Sequence, residues 1–516
     1  MTAQRGPRTL LGGVWVLAAA AVAVAVLVAV GMLSTGAATD LRGALFPRPT
    51  PTATTPAWLA PPSSGAPAPS GATPVSTAAP VPDQATVAKE LDARLVPGSG
   101  TITGSVLDGM TGQPLYSRSG AQPSIPASNL KLLTASAVLT TLGPDARLTT
   151  KVVRGADPGT LVLVGGGDAM LGAGASQPGS TMGRAGMATL AAETAAALTG
   201  THDAGASPFA ASSPSAASSP SAGGGASRPA SLPAAITVKL DDTLFTGPAL
   251  NPAWAPEDID AGEMAPVYAL ALYAGRTGPG AGGPRPKDSA MDAAAAFRAE
   301  LAKDLSAAGV TVADNITREA APAGAPEVAS VQSATVAEQV GYALRESDNY
   351  AAEVLGRLAS HAGGGPGSND GAVAALKDAA TRILGSAAGF ELSDACGLAI
   401  ADRAAPEALA GLVRAMASGP DARLRAALDG LPVAGLDGTL ATRFSGPTTG
   451  GGAGVVRAKT GTLNTVASLS GYLVDADGRL LVFSFVANGL DPAARQQAVS
   501  AIDAGVAALA GCGCRG

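Results

Sequence analysis

Three short, widely separated segments constrain this chain more than anything else in it: Ser128-Asn129-Leu130-Lys131, Ser347-Asp348-Asn349 and Lys459-Thr460-Gly461-Thr462. A hydroxyl with an amine one helical turn away, a second hydroxyl beside an amide, and a lysine followed by hydroxyls form a serine acyl-transfer set in which lysines replace histidine. If they act together, the fold must gather positions 128, 347 and 459 at one point. Histidine offers no rival. There are two in 516 residues, His202 beside a Ser/Ala/Pro tract and His361 just before Gly363-Gly364-Gly365, so a Ser-His-Asp triad is hard to build.

The gap between the first two motifs is itself informative. It is 347 − 128 = 219 residues, far more than a helical layer needs, so an additional domain is expected there. The coarse pattern is mixed α/β (α+β). Thr101 to Leu107 and Pro114 to Ser117 read as a hairpin through Asp108-Gly109, and Ala467 to Val474 with Leu480 to Ala487 as another around Asp477-Gly478. Asp491-Pro492 reads as the cap and first turn of a C-terminal helix reaching towards Leu509. Strands near both ends with helices between them imply one sheet assembled from distant parts of the chain.

Two tracts cannot bury a core. Pro47 to Pro82 is Pro, Ala, Thr and Ser with almost no charge, an extended tether, and about Ala204 to Pro233 is of the same kind within the folded region. Upstream, Arg5 and Arg8 precede an apolar run from Leu10 to Leu33, long enough to cross a bilayer as a helix with a cytoplasmic N-terminus and an exported remainder. The small residues Gly36, Ala37 and Ala38 also allow a cleaved signal peptide, but the run exceeds the usual signal core, which favours a retained anchor. The expected order is therefore 1–35 cytoplasmic tip and anchor, 36–83 linker, 84–150 first part of the catalytic domain, 151–328 inserted region with the tract 204–233, and 329–511 second part.

A net charge of −6 and no basic stripe argue against nucleic acid as a partner. Two histidines and three cysteines without zinc-ligand spacing furnish no recognisable metal site, and no metal or organic cofactor is implied.

Each motif has a chemical reading beside a bland one. Ser128 and Lys131 share a face at the start of a helix entered at Pro126, where free N–H groups also favour an oxyanion; the bland reading is a solvated helix face. Ser347-Asp348-Asn349 falls between the helical patterns Ala334 to Arg345 and Tyr350 to Leu358, where polar residues usually cap; in the chemical reading Ser347 relays a proton and Asn349 orients Lys131 and the substrate carbonyl. Lys459, Thr460 and Thr462 follow the apparent strand Val455 to Ala458 and would face a groove suited to a free carboxylate, with Gly461 letting a ligand approach the backbone; the bland reading is an exposed edge-strand lysine.

The order Ser-x-x-Lys, Ser-x-Asn, Lys-Thr-Gly marks penicillin-recognising serine enzymes. With Ser124 to Lys131, Val162 to Asp168, Asp241 to Pro248, Leu431 to Leu440 and Lys459 to Leu463, the chain from about Gln84 to Ala510 resembles the D-alanyl-D-alanine carboxypeptidase/endopeptidase family, the low-molecular-mass class C penicillin-binding proteins. The resemblance implies a transpeptidase-like domain, an antiparallel sheet with a helical layer, interrupted by an accessory region between the first two motifs. It implies a peptidoglycan stem peptide as substrate and acylation by β-lactams. It also implies Ser128 as nucleophile, Lys131 as base, Ser347 and Asn349 in the proton path, an oxyanion hole from the N–H groups of Ser128 and Thr462, and Lys459 with Thr460, Gly461 and Thr462 as the carboxylate site. A β-lactamase, a transpeptidase and a non-catalytic cell-wall binding protein are the alternatives. One segment departs from the family: relatives carry Asp-Gly-Ser-Gly-Leu where this chain has Asp394-Ala395-Cys396-Gly397-Leu398. Without a paired histidine Cys396 reads as a small buried thiol, or as a disulfide partner of Cys512 or Cys514.

Overall fold

The strand Leu480–Asn488 explains the architecture in miniature. Side chains alternate across a strand. Leu481, Phe483 and Phe485 enter one apolar core, while Val482 and Val486 enter another on the opposite face. Such a strand must be covered on both sides. It lies at the centre of a five-stranded antiparallel sheet in the order Arg457–Leu463, Val466–Val474, Leu480–Asn488, Thr101–Asp108, Pro114–Arg118. On the Phe483 face pack the helices Gln84–Asp92 and Arg495–Gly511, which contribute Val87, Leu91, Ile502 and Val506. The Val482 face is covered by helices Lys131–Thr141 and Pro406–Ser418, and behind them Val336–Arg345, Asn349–Ala362 and Asn369–Leu384.

This computed structural model describes residues 75–200, 232–280 and 282–514. The apolar run Leu10 to Leu33, Pro47 to Pro74 and nearly all of Ala204 to Pro233 lie outside the described residues, whereas Val75 to Pro82, expected as the end of an extended tether, pack on the folded region, with Ala79 buried and the Ser76 N–H donating to the Gly478 carbonyl at 2.9 Å. Among those described, no helix is long and apolar enough to cross a membrane.

Between the first and second motifs the chain builds a second, six-stranded sheet. Glu327–Thr335 pairs antiparallel with Arg147–Arg154, which pairs antiparallel with Thr160–Val164; the latter runs parallel to Ala235–Asp241, and that strand takes Thr311–Val312 and Thr317–Arg318 on its far edge. Helices Met187–Thr199 and Ser289–Ser306 cover it, with Leu190, Phe297 and Leu301 fully buried.

Both hairpins expected near the chain ends form, the second in the register Ala467 against Ala487. The cap expected at Asp491 does not. The last helix starts at Arg495 behind Ala494, with no side-chain cap. Ser99 Oγ accepts from the Asp491 N–H at 2.9 Å while the Asp491 carbonyl closes a turn onto the Ala494 N–H, so residues 492–494 form a separate turn. The strand expected over Val455 to Ala458 is displaced too. Val455 and Val456 donate back to the Gly452 carbonyl in a turn, and the strand begins only at Arg457, so the Lys-Thr-Gly-Thr segment is the strand itself.

Candidate active site

Ser128 does not sit on the α-helix. It stands in a 3-10 turn, Ala127–Leu130, that runs into Lys131–Thr141. Ala127 is held at φ +49°, a conformation a residue with a Cβ seldom adopts. Three contacts hold it there: Ser468 Oγ donates to the Pro126 carbonyl at 2.7 Å, Asn129 Nδ2 donates to Ser470 Oγ at 2.8 Å, and Gly397 packs on the Ala127 carbonyl so closely that a Cβ would lie 1.9 Å from it. The turn is thus pinned to the central sheet on one side and to the Asp394 loop on the other.

Lys131, the first residue of its helix, is 1% exposed. Its Nζ donates to Ser128 Oγ at 2.9 Å, to Asn349 Oδ1 at 2.7 Å and to the Cys396 carbonyl at 2.8 Å. Burial pushes the amine down from its ordinary value, against the pull of Cys396, Asp394, Asp348 and Glu353. Asn349 has its other side-chain atom fixed by the Glu263 carbonyl, 3.1 Å from Nδ2.

Ser347 joins two helices at φ +57°. The helix before it carries a Thr335–Glu338 capping box and ends at Arg345; the helix after it is capped by Asp348, whose side chain accepts from the Ala351 N–H at 2.8 Å. Both roles of that motif therefore coexist, since Asp348 caps while its neighbours Ser347 and Asn349 point to the two lysines.

Lys459 is fully buried, not an exposed edge residue. In register with Ser470, Ser484 and Ser105 it heads a polar row across the sheet on the face that meets the Lys131 helix. Its Nζ donates to Ser347 Oγ at 2.8 Å and to the Thr460 carbonyl at 2.7 Å. Burial, then the charges of Lys131 and Arg443, push it well below the ordinary lysine value. Thr460 Oγ1 donates to Thr439 Oγ1 at 2.7 Å, and Thr462 is exposed. Gly461 is buried for a different reason from the one its sequence suggested. A Cβ there would meet Ser468 Oγ at 2.2 Å and the Pro126 carbonyl at 2.8 Å, so it is the turn that carries Ser128 that needs the glycine.

Ser128, Ser347, Asn349, Thr460 and Thr462 all line one open cleft of about 610 Å³; Lys131 and Lys459 are not among its lining residues and act from beneath it. All eight residues singled out from the sequence are thus in one place, five on the wall of the cleft and three, Lys131, Lys459 and Gly461, behind it. His361 is exposed on the last turn of its helix, and His202 lies outside the described residues.

Glu353 was not anticipated, while Asp394 and Cys396 were singled out only as part of the segment that departs from the family pattern. Asp394, fully buried, accepts from the N–H groups of Cys396, Gly397, Leu398 and Ala399 and from Trp254 Nε1, and so shapes the loop that presents the Cys396 carbonyl to Lys131. Cys396 is a buried free thiol whose pKa burial raises, while Cys512 and Cys514 form a disulfide with each other. Glu353, one turn below Asn349, accepts from the Ala395 N–H at 2.7 Å and is pushed up to about 7 by burial and by Asp394. A lone acid in the apolar run Tyr350-Ala351-Ala352-Glu353-Val354-Leu355 was the signal for it.

A serine in a strained turn, bonded to a buried lysine, with a second serine and lysine opposite, on an antiparallel sheet between helical layers, is the arrangement of the penicillin-recognising serine enzymes. The D-Ala-D-Ala carboxypeptidase 3 (S13) family matches residues 87–194 and 278–509, and the chain belongs to that family of peptidases. It is 36% identical over 425 residues to carboxypeptidase Rv3627c of Mycobacterium tuberculosis, covering 81% of this chain and 82% of that one. It is 29% identical over 443 residues to the D-alanyl-D-alanine carboxypeptidase of Actinomadura, covering 76% and 78%. Penicillin-binding protein 4 of Haemophilus influenzae shares the fold at a TM-score of 0.60 and 16% identity, covering 83% of this chain and 98% of that one.

Proposed function

We propose that Ser128 attacks the carbonyl between the two D-alanines at the end of a peptidoglycan stem peptide, releasing the last D-alanine and leaving an acyl-enzyme that water then cleaves. The observation that carries this is the 2.9 Å contact between Ser128 Oγ and a lysine amine that burial disposes to lose its proton. Once neutral, Lys131 accepts the hydroxyl proton along that same line. Ser347, bonded to Lys459, relays to the departing amine the proton that Lys131 has taken, so that Lys131 and Ser347 both end as they began, and Asn349 holds Lys131 in place. The N–H groups of Ser128 and Thr462 are assigned to the oxyanion, and the Lys459–Thr462 strand to the terminal carboxylate, with Thr460 and Thr462 at the cleft surface and Lys459 below. β-Lactams, which present an acyl group and a carboxylate in similar relation, acylate the same serine; the Haemophilus protein has been seen complexed with a β-lactam.

Within this reading the enzyme works outside the cytoplasm, held by the Leu10 to Leu33 segment and spaced from the membrane by the Pro-rich tract. Residues from about 151 to 328 form the accessory region and the flanking parts the catalytic domain. A fluorescent penicillin should label the protein once, on the peptide containing Ser128, and D-alanine should be released from a peptide ending in D-Ala-D-Ala. Ser128→Ala should abolish both while keeping the far-ultraviolet dichroism. A labelled residue elsewhere, or stoichiometric labelling of the alanine variant, would refute the assignment.

A further inference from the structure

The site described above leaves the terminal carboxylate without a cation it can touch. Lys459 is 0% exposed and its ammonium already serves Ser347 and the Thr460 carbonyl. The cations that do line the cleft are Arg443 and Arg495.

These two differ in how they are held. Arg443 lies in the loop after the Thr439 turn, and its Nε and Nη2 both donate to the carboxylate of Asp503 on the C-terminal helix, Nε at 3.1 Å. Asp503 is 5% exposed, set among the buried Ile502 and Val506. A fork gripped along one edge cannot rotate, and it presents its remaining donors in a set direction. Nη1 is that remainder, and it has no protein partner among the described residues. Arg495 has only a long contact, 3.4 Å, from Nη1 to the Leu463 carbonyl, and no carboxylate to orient it.

We propose that Arg443, braced by Asp503, is a specificity-determining residue that reads the free carboxylate of the substrate's last D-alanine, alongside the hydroxyls of Thr460 and Thr462. This rests on the peptidase reading of Ser128 given above. It ties preference for a free peptide end to the C-terminal helix, an element remote in sequence from all three motifs.

The test compares a peptide ending in D-Ala-D-Ala with the same peptide amidated at its C-terminus. Release of the terminal residue is followed for the full chain and for Arg443→Gln, Arg443→Lys and Arg495→Gln. Rates are divided by the concentration of sites that take up one fluorescent penicillin at saturation, so unfolded molecules do not count. Removing Arg443 also relieves Lys459 of a neighbouring charge, but that change is common to both peptides and cancels in their ratio. The expected result is a roughly 10- to 100-fold loss of kcat/KM for the free acid with Arg443→Gln, mostly in KM, as for a lost charge-assisted hydrogen bond. The amide should lose less than about threefold, Arg443→Lys should fall between, and Arg495→Gln should leave the acid-to-amide ratio unchanged. Equal losses for both peptides, or a changed ratio with Arg495→Gln instead, would overturn the role of Arg443 while leaving the peptidase reading intact. An unmutated chain that neither takes up penicillin at Ser128 nor releases D-alanine would overturn both.

Discussion

At the residue scale, several charged groups sit behind Ser128, and the proposed chemistry depends on them. Glu353 is the sharpest case, because its carboxyl is buried with a raised pKa of about 7 and its charge bears on Lys131. An acid whose folded value lies above its unfolded one is favoured in its neutral form by the native state. Stability is therefore full below the unfolded value and falls as pH rises through the window from about 4.5 to about 7. Glu353→Gln keeps an acceptor for the Ala395 N–H and cannot ionise. In denaturant titrations its stability relative to the parent should rise by about 2–3 kcal/mol between pH 4.5 and 8. The same variant withdraws a negative charge that holds the proton on Lys131, so the acidic limb of penicillin acylation should move to lower pH. An unchanged limb would mean that Glu353 does not govern the base.

Gly397 tests the mould of the nucleophile's turn. Its φ is +81°, and an added Cβ would strike the Ala127 carbonyl at 1.9 Å. Gly397→Ala should cost about 1–3 kcal/mol and slow acylation of Ser128 at least tenfold. Wild-type acylation rates in that variant, measured with the fluorescent penicillin, would show that the turn holds its shape without the Asp394 loop.

At the element scale, Asp348 couples the Asn349 helix to the region inserted between the first two motifs. Its carboxylate caps that helix and receives Arg276 Nη1 at 2.5 Å, with Arg285 Nη2 at 3.9 Å, while its own side chain is 1% exposed. Asp348→Asn preserves the cap and loses the ion pair; Asp348→Ala loses both and leaves the part-buried Arg276 and Arg285 facing no side-chain acceptor among the described residues. Thermal or denaturant unfolding should rank the alanine variant lowest, about 3–5 kcal/mol below the parent, with asparagine between. The reverse order would mean that the arginines find solvent and that only the cap matters.

At the scale of the whole molecule, the two sheets arise from one chain because residues 147–335 leave the layers of the five-stranded sheet, build the six-stranded one and return. Residues 204–231 include one large apolar residue, Phe209, among mostly Ala, Ser, Pro and Gly. Joining the chain across them should leave soluble yield and the rate of penicillin labelling within about twofold of the parent. Loss of either would show that the tract carries structure.

What the sequence by itself determined was local or additive. The alternation and turn residues of the end hairpins, the periodicity of the Lys131 helix and the three motif identities are written within a few residues of one another, so they could be read directly. Cap geometry was less legible: Asp491 had the right residue type, but the chain makes a separate turn over 492–494 before the helix begins at Arg495, so its side chain stands too far from the first free helical N–H groups to cap them. Only the tertiary structure decided that Lys459 lies beneath the cleft rather than on its wall, that Gly461 and Gly397 make room for the Ser128 turn, and that Asp394, Glu353 and Arg443 surround the site. Each of those depends on distances between segments far apart in the chain. Burial and Coulomb interaction act through space, and no spacing along the sequence records them.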